Sequence, residues 1–228
     1  MEIVAIAIIL AIILGVVQYL GEKIIKACGR YYKHAISFSA GVAITYLFLD
    51  LFPFFSFEVN NTNRFLFIFL LIGFVIFHLL EKYLYQHTKE GLIEKRLGIE
   101  NQIVSFLYHF IIGIIILDFS ILGLKEVIIF FIPIAIYTAI SSLPMSKPSS
   151  NKIKLIASLS TLLGVLFAGI IYSSISIEIK ISLLGIIIGG LFFSVIRHSI
   201  PIGKDGKPSY FIIGVVIYTI IITISWLV

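Results

Sequence analysis

Residues 37–53 read SFSAGVAITYLFLDLFP. One charge, Asp50, interrupts the run, and apolar side chains follow one another without the strict alternation of a barrel strand. With its flanks the run reaches about 20 residues, the length a helix needs to cross a bilayer. Working outward, eight such segments are cut by polar residues, at roughly 3–20, 35–55, 65–84, 103–121, 127–145, 153–173, 181–200 and 210–228. Their richness in isoleucine is that of strands in a soluble protein, but their length selects helices. The predicted fold is therefore an all-α polytopic membrane protein, one transmembrane domain over 1–228, with 86–102 as a short loop.

Composition agrees. The chain has 228 residues, is 60% hydrophobic and only 13% charged, against about 45–50% and 25% in globular proteins. A soluble domain is excluded. The net charge of +5 does not point to nucleic acid, because the basic residues stand in short loops between apolar runs. Fourteen of the 17 Lys and Arg fall in odd-numbered loops, which places those loops in the cytoplasm and both termini outside. The expected setting is the lipid bilayer of the cell membrane. Glu2 stands where a signal peptide carries Lys or Arg, so the first helix is read as retained. Cys28 is the single cysteine, which leaves no disulfide framework and no Cys-based metal motif.

A second stretch, GIIIGGLFFSVIRHSIP at 185–201, aligns with 37–53 without gaps. Gly41 meets Gly189, Asp50 meets His198, and Pro53 meets Pro201. Under the charge-derived topology one helix runs outward and the other inward. Inverted repeats of this kind build many secondary transporters, although two apolar helices ending in proline also look alike.

These residues resemble the ZIP (Zrt-, Irt-like) metal-transporter family. FSAGVAITYLFLDLFP is similar to its second helix, LLIGFVIFHLLEKYL (70–84) to its third, and GGLFFSVIRHSIP to its seventh. The resemblance implies a 3+2+3 bundle, with the first and last three helices inverted around helices four and five. It also implies that one or two divalent ions are held between those two central helices. Here YHFIIG (108–113) takes the place of the fourth-helix motif: Tyr108 stands for a histidine, His109 for an asparagine, Ile112 for a carboxylate, and Gly113 is kept. SSLPMS (141–146) takes the place of the fifth-helix motif: Ser141 and Ser142 replace His and Glu, Pro144 stays, and Met145 replaces a second Glu.

By these boundaries every acidic residue lies in a loop or within about a turn of a helix end. A divalent ion stripped of water needs anionic or strongly dipolar ligands, so the family's carboxylate site cannot form as written. His109 and Met145, with Ser141, Ser142 and Tyr108 near them, would make a soft set suited to Cu(I). The alternative is a neutral His109 hydrogen-bonded to Tyr108, a serine or water, with Met145 as filler and the serines bonded to carbonyls loosened by Pro144. Asp50 and His198 are read as the way in and the way out, or as a proton-sensitive gate, against ordinary interfacial polarity. His78 and Glu81 are spaced to pair. Gly185, Gly189, Gly164 and Gly169 announce close helix contact, within the chain or with a second copy in a homodimer. No catalytic pair is visible, so an enzyme is not expected, nor a tightly bound cofactor beyond a transported metal ion. Two functions follow: a ZIP-like transporter of a metal cation with an altered site, or a non-transporting relative that acts as a structural or regulatory membrane partner.

Overall fold

The computed structural model describes residues 2–87, 93–141, 151–171, 174–199 and 206–227. All regular structure in them is helical. Long apolar runs leave backbone N–H and C=O groups no partner in lipid, and a helix satisfies them internally. The elements are α1 (Glu2–Cys28), α2 (Tyr32–Tyr46), a π-helical turn (Leu47–Leu51), α3 (Phe52–Thr62), α4 (Phe67–His87), α5 (Ile93–Leu122), α6 (Leu124–Ser141), α7 (Asn151–Ser158), α8 (Ser160–Ile171), α9 (Ile177–Ser194), a second π turn (Val195–Ser199) and α10 (Pro208–Leu227). Five stretches among the described residues are long and apolar enough to cross a membrane: Glu2–Gly21, Lys23–Thr62, Ser105–Leu122, Ile177–Arg197 and Pro208–Leu227. Arg64–Leu80 and Ser160–Ile171 are shorter apolar helices. Isoleucine, leucine and phenylalanine side chains such as Ile9, Phe65, Leu71 and Ile170 cover the outside, as lipid requires.

Two sequence expectations need correction here. The second segment does not close at its proline. Pro53 lacks an N–H, and the chain absorbs the loss in the π turn just before it, where the Phe52 N–H reaches back to the Leu47 carbonyl. The helical rod then continues to Thr62 and ends where Asn63 turns extended and its Oδ1 accepts the Phe65 N–H at 3.0 Å. Asp50 consequently lies inside a helical rod and not within a turn of its end. Within the stretch 86–102 expected as a loop, α4 runs to His87 and residues 93–102 belong to α5. Its mixed Glu, Lys and Arg are good helix formers and extend α5 instead.

Glycines set the packing. A Cβ on Gly41 would strike the Phe211 carbonyl of α10, and one on Gly214 the Phe38 carbonyl of α2. Gly73 and Gly189 make the same reciprocal contact between α4 and α9, and Gly113 and Gly164 between α5 and α8. Small residues let helix backbones touch where no hydrophobic drive separates protein from lipid. Gly185 and Gly189 are thus spent inside the chain, whereas Gly169 meets nothing within 4 Å.

The directions follow from the contacts. His34 meets Tyr210 at 4.5 Å and Tyr46 meets Tyr218 at 6.3 Å, so α2 and α10 run parallel. Gly185 lies beside Leu70 and Phe193 beside Phe74 and His78, so α4 and α9 also run parallel. Phe48 meets Phe192 at 5.4 Å while Phe55 lies against Gly185, which makes α2–α3 and α9 antiparallel. The two π turns stand 148 positions apart at both ends, the shift that sets Gly41 against Gly189.

Candidate functional site: polar groups in the α2–α5–α6–α10 core

The first π turn, the α5–α6 pair and α10 carry several interior polar groups of the described residues. On α5, His109 is buried and both ring nitrogens are engaged. Nδ1–H donates to the Ser105 carbonyl at 2.8 Å, one turn back, and Nε2 accepts from the Thr138 hydroxyl of α6 at 3.2 Å. Ser105 in turn accepts from Gln18 Nε2 of α1 at 3.1 Å. Three helices are therefore stitched by one polar chain, and the imidazole has no free lone pair for a metal. A serine is among the partners expected for a neutral His109; Thr138 is an addition that nothing in the residue pattern signals.

Tyr108 is buried edge-on against Phe77 and His109, at 6.0 and 5.3 Å, and its hydroxyl has no partner among the described residues. Ile112 is fully buried in the apolar core, so the position that stands for a carboxylate contributes packing. Gly113 serves the crossing with α8. Ser141 closes α6; Ser142, Pro144 and Met145 lie outside the described residues, as do the side chains of Ser141, His198 and Glu81. His198 stands on the second π turn, at the counterpart of Asp50. His78 rests on Phe193 at 5.7 Å. Among the described residues no three His, Cys, Asp or Glu side chains gather as metal ligands.

A second cluster surrounds Asp50. Its carboxylate is half-buried on the first π turn and lies within electrostatic range of Tyr46, of Tyr218 from α10 and of Glu126 from the first turn of α6. Pro133 explains part of this arrangement. Inside α6 it cannot donate to the carbonyl four residues back, and that carbonyl, of Ile129, instead accepts the Tyr218 hydroxyl at 2.6 Å. Tyr218 thereby ties α10 to α6 beside Asp50. Tyr46 is 1% exposed and its hydroxyl has no partner among the described residues.

The sequence reading missed Tyr46, Tyr218, Glu126, Pro133 and the Gln18–Ser105–His109–Thr138 chain. Pro133 was a usable signal, since a proline within an apolar helix frees a carbonyl that some donor must meet. Chemically, the α5–α6 cluster is a closed hydrogen-bonded joint. Asp50 is a carboxyl group on the π turn with Tyr46 and Tyr218 within its electrostatic range. No protein-family model matches the chain, and no curated protein matches it.

Proposed function

We propose that this chain is an integral membrane cation transporter on the ZIP-like plan. Its eight transmembrane helices form an inverted 3+2+3 bundle, with both termini outside the cell. The single observation that carries this reading is the twinned π turn. Two antiparallel helices of similar pattern each bear a π turn at the same place, and each is crossed by a parallel partner helix at a facing glycine pair. Secondary transporters are commonly built from such inverted halves, with substrate bound at interrupted helices between them. An ionisable residue inside a spanning helix is rare and marks an ion route, and Asp50 is such a residue.

The metal position that the resemblance implies, between α5 and α6, is altered in this chain. His109 belongs to a structural joint, and Asp50 is an ionisable group kept inside a spanning stretch. A metal cation remains the first substrate to test. Purified protein in sealed vesicles, challenged in turn with Zn²⁺, Mn²⁺, Fe²⁺ and Cu(I), should show saturable uptake of at least one ion above that of empty vesicles. Uptake of none would overturn the proposal. The second reading, a non-transporting structural or regulatory partner, is favoured by one observation: the closed hydrogen bonding of His109. Absent flux together with stable co-purification of another membrane protein would establish it.

A further inference from the structure

Several interior polar groups among the described residues have partners. His109 is held by Ser105 and Thr138, Asp118 pairs with Lys180 at 3.2 Å, and the Thr45 and Ser120 hydroxyls donate to carbonyls one turn back. Asp50 differs: among the described residues its carboxylate has neither a hydrogen bond nor an ion pair.

The neighbours can be named from every side. Tyr46 stands on Asp50's own rod, Tyr218 comes from α10, and Glu126 from α6. Helix α9 presents the ring of Phe192 to Phe48 and Phe52. Glu126 is 39% exposed with Lys125 at 3.9 Å, so water and lysine meet its charge. The turn is left with one net negative charge, on Asp50, and one orphaned hydroxyl, on Tyr46. A single positive charge makes this group neutral. A doubly charged ion leaves +1 among apolar side chains, at a cost of several kcal/mol. Irregular helical turns are frequent at functional sites and leave carbonyls free to turn towards a guest.

We propose that the Leu47–Leu51 turn binds one singly charged cation, a proton or an alkali-metal ion, on the Asp50 carboxylate, with the Tyr46 hydroxyl as second oxygen. The cation serves the metal transport proposed above as its coupling ion, while its binding is measured without any flux.

Dicyclohexylcarbodiimide adds to a protonated carboxyl group within a bilayer, and peptide mass spectrometry locates the adduct. Full-length protein in liposomes should be labelled at Asp50, and Asp50→Asn should remove that adduct. Loss of label on raising Na⁺ or K⁺ at fixed pH identifies an alkali-metal site; loss on raising pH alone identifies a proton site. Tyr46→Phe keeps carboxylate and fold, and should shift the midpoint of that loss by about threefold to tenfold, the worth of one hydrogen bond. No label at Asp50 anywhere between about pH 5 and 8 would overturn the site. So would protection by Zn²⁺ or Mn²⁺ with none from Na⁺, K⁺ or pH, and so would an unmoved midpoint in Tyr46→Phe. Labelling without flux would remove the transport reading and leave the site standing, whereas flux without labelling would do the reverse.

Discussion

Gly189→Ala should destabilise the protein by more than about 3 kcal/mol, while Gly169→Ala, the same chemical change, should be neutral or mildly stabilising. In a free helix alanine is favoured over glycine by about 1 kcal/mol, so propensity alone predicts that both variants gain. Packing reverses the sign at one of them. A methyl group on Gly189 would collide with the Leu70 carbonyl and lie 2.6 Å from the Phe74 nitrogen, both backbone atoms that no rotamer change can move. The α4–α9 pair would have to separate and lose the contacts that hold it. Around Gly169 nothing lies within 4 Å. Thermal unfolding of the two variants in the same detergent measures the difference. Equal melting temperatures would mean that α4 and α9 do not meet backbone to backbone.

Asp50→Asn should reduce cation uptake at least tenfold and leave the amount of folded protein nearly unchanged. The amide has the shape of the carboxylate and no charge, so the packing of Leu47, Leu51 and Tyr46 around it is preserved. A cation that reaches the turn then finds only dipoles, and burying it costs several kcal/mol more; each 1.4 kcal/mol of that cost is a factor of ten. His109→Ala should behave in the opposite way. It strands the Thr138 hydroxyl and leaves a void between α5 and α6, so stability should fall by about 2–4 kcal/mol, with uptake per folded molecule within a few-fold of the parent. Vesicle uptake normalised to folded protein separates the two effects. If His109→Ala abolishes uptake and Asp50→Asn does not, the charge-bearing centre lies between α5 and α6 instead.

What the sequence made legible was what apolar run length dictates. Five of the apolar stretches cut by polar residues are helices long enough to span among the described residues, and the gapless alignment of 37–53 with 185–201 carried the shift of 148 that the two π turns share. What stayed hidden depends on backbone bonding, which composition does not express. Pro53 reads as a helix stop, yet a turn of wider pitch lets the helix continue, and Asp50 thereby changes from an end residue to an interior one. Thr138 and Tyr218 are ordinary residues in apolar segments; only the crossing of α5 with α6, and of α6 with α10, sets their hydroxyls against His109 and the Ile129 carbonyl. Of the residues the resemblance implies as ligands, His109 is hydrogen-bonded to Ser105 and Thr138 and Tyr108 is packed against Phe77, while Ser142, Pro144 and Met145 lie outside the described residues.

The inverted plan requires the two halves to have opposite orientations in the membrane. Asn61, at the end of α3, and Ser209, at the start of α10, are both exposed and stand one repeat apart, at the same shift of 148. With Cys28 replaced by serine, a single cysteine is placed at either position in intact cells and exposed to a membrane-impermeant maleimide. The Asn61→Cys protein should be labelled from outside, and the Ser209→Cys protein only after the membrane is permeabilised. Labelling of both from the same side would contradict the inverted arrangement and the transport reading built on it.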